Sequence, residues 1–387
     1  MMRRSACAAG VAVFLAMMGR PREGAAIDRN FAGSAQLDYH LVPTQPGARA
    51  GATAFDGFTS EVALKVAVDV SERLSANVKL CHGCHGFELP MAYFDYRVAD
   101  ELNFRVGRFS PSFGSFNLRH DPANHPLSSK PLPYDMGRML RYADWNLGVL
   151  PSPFPDNGLE IGGSHWFGER AQMDYAVYAV AGFKAAAGAL DLDWTQSHSG
   201  SSYLVDNNSR PTVGARAALT LRIRDTNDVT VGASAMRGTY DPRNQFDYLI
   251  VGGDVAIRIW RTHVRLEYLV RRQTFEATPA VMFKEPVSAS GMEIFNKHGA
   301  YLELQHPVTA NLDLVGRIDG LYRAGNVPVD SPLGVRSAIT RYTAGAALAI
   351  ERGWWLKTSA ELWSFSDHVF GHEALDLGIH LSIAGTC

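Results

Sequence analysis

Cysteine is scarce: the 387 residues hold 4, at Cys7, Cys81, Cys84 and Cys387. With the first 26 residues set aside an odd number remains, which does not make the disulfide framework of a small secreted domain. Net charge is nearly absent as well. Lys and Arg total 37 against 39 Asp and Glu, a balance of -2 that argues against a general binder of nucleic acid or anionic surfaces. Beyond the N-terminal segment no apolar run reaches the roughly 18 residues of a transmembrane helix. HExxH, GxSxG and paired-carboxylate arrangements are missing, and the glycines of "GGSHWFG" and "VGGD" precede no helix that could cradle a phosphate. These absences point away from an enzyme. No repeat of 20 to 50 residues suggests a propeller or solenoid.

What is present begins with an export signal. Arg3 and Arg4 precede the apolar run "ACAAGVAVFLAMM", and the small residues around Ala25 and Ala26 suit cleavage. Residues 1–26 are expected to be a signal peptide and 27–387 the mature chain. Cys7 lies ahead of the apolar run, so lipoprotein-type cleavage is not supported.

Two-residue periodicity dominates the remainder. Val62, Leu64, Val66, Val68 and Val70 alternate with Glu61, Lys65 and Asp69, and similar alternation recurs in "HVRLEYLVRR", "ANLDLVGRIDGLYR" and "LDLGIHLSI". Such strands of about ten residues match the span of a tilted transmembrane strand. Short turns at "SERL", "ADEL", "GERA", "RDTND", "WRT", "PVTAN" and "ERGW" alternate with mostly longer connections near 43–60, 81–88, 116–156, 184–210, 241–246, 275–297, 324–338 and 367–373. Fifteen joints give about sixteen strands, an even number that leaves both termini on the short-turn side. The fold class is therefore all-β: a transmembrane antiparallel β-barrel with short periplasmic turns and longer outer loops, in the outer membrane of a Gram-negative-type bacterium. A soluble sandwich or propeller also shows period-two strands; regular short turns, strand length and the export signal favour the barrel.

The stretch "NFRVGRFSPSFG", residues 103–114, resembles the strand of phosphate-selective porin-like (porin O/P type) outer-membrane proteins, in which a Gly-Arg/Gln-Phe pattern leads to a Pro and a Phe-Gly. The following "LRHDPANHPLSSKPLPYDMGRMLR" is similar to exported porin-like proteins that carry a single haem-c motif upstream. The resemblance is clearest over residues 60–170. It implies a pore, and a third loop, 116–156, folded back to narrow it. Trimers are a family expectation. The chain departs from such barrels by ending "LSIAGTC" at Cys387 rather than on an aromatic residue.

Cys81, Cys84 and His85 fit the Cys-x-x-Cys-His spacing of c-type haem attachment, with two thiols for the vinyl groups and an imidazole for the iron. An unmodified dithiol, a disulfide between Cys81 and Cys84, and a metal site using His82 and His85 are the alternatives. Strand counting places the motif on the second outward loop, atop the third strand. His120 or His125 is the candidate second axial ligand; both also read as ordinary loop residues. A redox partner protein would be needed, because one haem does not span a membrane some 30 Å thick.

Arg105, Arg108, Arg119, Lys130, Arg138 and Arg141 form a modestly basic set that would favour anions, unless they are simply solvated. Lumen charges expected to bias small solutes are Lys65, Asp254, Arg258, Arg265, Arg317 and Lys357. Trp166, Trp354, Trp355 and Trp363 read as an interface belt in contact with outer-membrane lipid. Three functions follow: a diffusion porin carrying haem c for electron transfer or redox sensing, a plain solute porin, or a structural barrel without transport.

Overall fold

The computed structural model describes residues 28–41, 57–83, 86–135, 148–152, 154–185, 190–192, 205–278, 280–331, 333–367 and 375–386. Sixteen strands follow in order: β1 (Asp28–Leu41), β2 (Gly57–Asp69), β3 (Leu74–Gly83), β4 (Gly86–Ala99), β5 (Leu102–Phe109), β6 (Asp156–Phe167), β7 (Ala171–Val180) and β8 (Thr212–Arg224). The second half is β9 (Asn227–Thr239), β10 (Asp247–Ile259), β11 (Thr262–Glu276), β12 (Met292–Pro307), β13 (Leu312–Ala324), β14 (Arg336–Glu351), β15 (Trp354–Phe365) and β16 (Leu375–Thr386). Each strand pairs antiparallel with its sequence neighbours, and β1 closes on β16 with Leu37 opposite Ile383. The result is one closed barrel, which leaves no strand edge for lipid to solvate.

Exposure along the strands is inverted relative to a soluble sandwich. On β13, Leu314 and Ile318 are each 50% exposed, whereas Arg317 and Asp319 are 3% and 2% exposed. The same inversion runs along β15, where Leu356 and Leu362 face out while Lys357, Ser359 and Glu361 face in and are buried. Apolar side chains outside and charged ones inside are what a lipid solvent demands. This removes the soluble sandwich as an alternative.

All seven short turns occur where the sequence places them. Local hydroxyls build two of them: Ser71 Oγ accepts from the Leu74 N–H at 3.1 Å, and Thr309 Oγ1 from the Leu312 N–H at 3.0 Å. One connection differs from expectation. The stretch 81–88 is not a longer loop, because Cys81, His82 and Gly83 continue β3 and Gly86 opens β4, with Gly83 paired to Gly86.

The hydrophobic core lies inside the barrel. Phe113, Phe116, Leu132, Tyr134 and Phe154 of the β5–β6 connection pack against inner-wall Tyr178, Tyr248, Leu269 and Tyr301. Each such side chain contributes about 1.5–3 kcal/mol on burial. The long connection is thus part of the fold.

Candidate functional site: the inward loop and the barrel mouth

The β5–β6 connection enters the lumen through two glycines of "NFRVGRFSPSFG". Gly107 has φ +129°, and a Cβ there would stand 2.4 Å from the Ala92 carbonyl oxygen. Gly114 has φ +63°, and a Cβ would stand 2.3 Å from Glu267 Oε1. Both positions need glycine, for conformation and for close approach. Prolines then keep the path irregular: among its described residues the segment holds only short 3-10 turns, at Asn117–Arg119, Pro122–Asn124 and Leu132–Tyr134.

The wall holds this loop by a division of labour. Acidic side chains accept from its N–H groups: Glu160 from Ser112 at 2.7 Å, Glu267 from Ser115 at 2.8 Å and Phe116 at 3.2 Å, and Asp319 from Leu132 at 3.0 Å. Basic side chains donate to its carbonyls: Arg317 to Ser129 at 2.9 Å, Arg341 to Lys130 at 2.6 Å, and Lys357 to His125 at 2.7 Å. Lys79 of β3 pairs with Asp121 of the loop. A backbone segment without regular structure has its hydrogen bonds satisfied this way inside the barrel.

Of the expected basic residues, the four that are described each have their own surroundings. Arg105 faces a cavity of about 770 Å³ on the short-turn side, where it donates to Asp95 at 2.8 Å and Glu160 at 3.2 Å. Arg108 is buried and donates to the Leu89 carbonyl at 2.9 Å. Arg119 is half-buried on the loop, and Lys130 is turned to the Ser152 carbonyl at 2.7 Å. Arg138 and Arg141 lie outside the described residues.

Of the haem motif, Cys84 and His85 lie outside the described residues. Cys81 is half-buried and free, with its sulfur 3.6 Å from Glu61 Oε1 on the inner side of the wall. A helical turn puts residues i, i+3 and i+4 on one face; Cys81–Gly83 is instead extended, so successive side chains alternate between faces. The cavity beside Glu61, lined also by Gln36, Asp38, His125, Lys130 and Asp135, measures about 40 Å³, far below a porphyrin.

His120 and His125 both sit inside the barrel. His120 Nδ1 lies 2.8 Å from the Asn117 carbonyl, and the His125 ring stands 5.7 Å from that of Phe116. Burial lowers the pKa of His120, and that of His125 well below the ordinary imidazole value.

The belt reading of Trp363 is corrected. It shares inward parity with Glu361 and Phe365, is 4% exposed, and has the Arg341 guanidinium 4.9 Å from its ring. Trp166 lies under the Arg222 guanidinium at 4.6 Å. Trp354, 38% exposed, remains outward.

No family model matches the chain, and no curated protein matches it. Solved structures do. OmpF of Salmonella typhi is 10% identical, with 93% of this chain and 97% of that one covered at a TM-score of 0.58. The outer membrane channel DcaP of Acinetobacter baumannii is 10% identical, with 95% and 99% covered at 0.54. The anion-selective porin from Comamonas acidovorans is 12% identical, with 94% and 100% covered at 0.52. Identity this low carries the fold alone. The chain has the sixteen-stranded barrel fold of bacterial outer-membrane porins.

Proposed function

We propose that the chain is an outer-membrane porin through which small solutes diffuse passively, with the β5–β6 loop setting the constriction. The observation that carries this is the loop's attachment, by backbone hydrogen bonds to charged residues, across a polar inner wall enclosed by a lipid-facing apolar surface. A structural barrel has no need of a charged vestibule such as that around Arg105. Anion preference is the finer reading, in keeping with the resemblance to phosphate-selective porin-like proteins and with the neighbour described as anion-selective. A trimer form is recorded for OmpT of Vibrio cholerae, a neighbour of the same fold, and a homotrimer is proposed here too.

Planar-bilayer recording tests the proposal. Discrete conductance steps and an anion-directed reversal potential in a salt gradient are expected; no channel events from correctly folded protein would overturn it. The extended placement of Cys81 favours the plain porin over the haem-bearing one. Intact mass and a reduced-minus-oxidised spectrum of the exported protein decide this, and covalent haem on Cys81 and Cys84 would restore the electron-transfer reading with its redox partner.

A further inference from the structure

Three cations stand in one transverse row on the inner wall. Arg271 on β11 is paired in register with Lys297 on β12, and Lys297 with Arg323 on β13. All are buried, at 0%, 1% and 8% exposure. They surround the ring of Phe295, itself fully buried, with Arg323 at 4.7 Å, Lys297 at 5.7 Å and Arg271 at 6.0 Å. Arrays of like charge at this depth are costly unless an anion joins them.

One does. Asp191, from the β7–β8 connection, accepts from Arg271 Nη2 at 2.9 Å on one carboxylate oxygen and from Lys297 Nζ at 2.5 Å on the other. Burial pushes its carboxyl up, but the Arg271 and Lys297 charges outweigh this and hold it below the ordinary carboxylate range. Its neighbours are apolar and inserted on either side: Leu190 packs against the buried cluster of Phe275, Ala277 and Phe295, and Leu192 is buried in the main lumen core. The tripeptide thus presents a carboxylate between two cations with hydrocarbon flanking it. Arg271 nonetheless keeps its Nε and Nη1, both fully buried, without a hydrogen-bond partner among the described residues. Because Asp191 takes Nη2 alone, neither the Nε–Nη2 edge nor the Nη1–Nη2 edge of the guanidinium is filled, and a carboxylate set side-on or end-on would complete bidentate recognition.

We propose that Arg271, Lys297 and Phe295 form a solute-binding subsite for monocarboxylates carrying an apolar substituent, and that Asp191 is a tethered competitor occupying it. This rests on the porin reading and names a substrate class for it. A carboxylate held on the chain competes as though present at a high local concentration, so it weakens the apparent affinity for a free one without altering the subsite. Arg271 and Lys297 supply the charge, and the Phe295 and Phe275 rings supply the preference for an apolar substituent over a bare inorganic anion.

The test titrates benzoate, with acetate and chloride as comparisons, into the purified full-length protein in detergent by calorimetry, alongside single-channel recording. Asp191→Asn is expected to bind benzoate at least tenfold more tightly than wild type and to gain less for acetate. Adding Arg271→Gln to that variant is expected to abolish the gain. Unchanged benzoate affinity in Asp191→Asn, or an equal gain for all three anions, overturns the proposal. Should Asp191→Asn fail to fold, as read by heat-modifiable gel migration, wild type is compared with Arg271→Gln. A tenfold loss of benzoate affinity then supports the subsite, and equal affinities overturn it. Absence of conductance with binding intact would sink the porin reading and leave the subsite standing.

Discussion

Glu267 is the residue on which loop attachment most depends, and replacing it with alanine gives a direct measure of what the loop does. Its two carboxylate oxygens accept from the Ser115 and Phe116 N–H groups at 2.8 and 3.2 Å, from the Tyr301 hydroxyl at 3.1 Å, and from the Tyr134 hydroxyl. Glu267→Ala leaves all four donors without this acceptor, those of Phe116, Tyr134 and Tyr301 buried and that of Ser115 half-buried. A net hydrogen bond contributes about 1 kcal/mol, and a stranded buried donor costs about 1–3 kcal/mol. Allowing for non-additivity and for water entering the gap, the attached loop loses about 4 kcal/mol relative to a detached one. At 1.4 kcal/mol per decade that shifts the detachment equilibrium by about a thousandfold. The barrel keeps its strand pairing, so gel heat-modifiability stays near wild type, while single-channel conductance and noise rise and protease cleaves within 110–135. Glu267→Gln, which keeps an accepting oxygen toward Ser115 and Tyr134, falls between. Wild-type conductance and protease resistance in Glu267→Ala would refute the reasoning, since the loop would then be held by its apolar contacts alone.

Other perturbations separate the remaining interactions. Ile318→Arg puts a charge on the outward face at mid-strand and should cost about 2–4 kcal/mol of folding into lipid vesicles; a surface isoleucine of a soluble protein would tolerate the change, so neutrality argues against the membrane assignment. Arg341→Met removes a fully buried guanidinium that donates to Asp319 at 2.9 Å and should lower stability by about 3 kcal/mol, read as a lower temperature of gel-mobility conversion. For Asp121, burial pushes the carboxyl up, but the His120 and Lys79 charges outweigh it and hold the pKa at about 2. A depressed carboxylate stabilises fully above its unfolded value of about 3.9 and loses that stabilisation as pH falls through the folded value. Protease access to the loop should therefore rise between pH 4 and pH 2 in wild type and show no such step in Asp121→Asn.

The strands and short turns were legible because period-two alternation survives any choice of partner, and because the seven short turns fall at alternate joints. Parity would also have resolved two misreadings. In "WLKTSAELWSF" Trp363 shares its parity with Lys357, Ser359 and Glu361, so it had to face where they face. In "NVKLCHG" Cys81 shares parity with Asn77 and Lys79, which continues β3 into the motif and leaves little room for a loop. The loop contacts were not legible. They join a carboxylate or guanidinium to backbone N–H or C=O groups more than a hundred residues away, and backbone groups carry no sequence signature. Asp191 illustrates the limit: "GALDLDW" reads as a polar connection, and only the register of β11 and β12 brings Arg271 and Lys297 to meet it.

That placement changes which charges are free to act on a solute. Of the six lumen residues expected to set selectivity, Asp254 is held by Arg216 at 2.6 Å, Arg258 pairs with Asp228, and Arg265 pairs with Glu303 at 3.0 Å. Arg317 and Lys357 are spent on loop carbonyls. Lys65 is exposed. A paired charge presents a dipole to a passing ion, and its field falls faster with distance than that of a lone charge. Selectivity in such a lumen then depends less on the sum of wall charges than on the few cations whose carboxylate can be exchanged for the solute's own. Arg271 and Lys297 meet that condition, because their acidic partner belongs to a connection between strands and not to the wall itself.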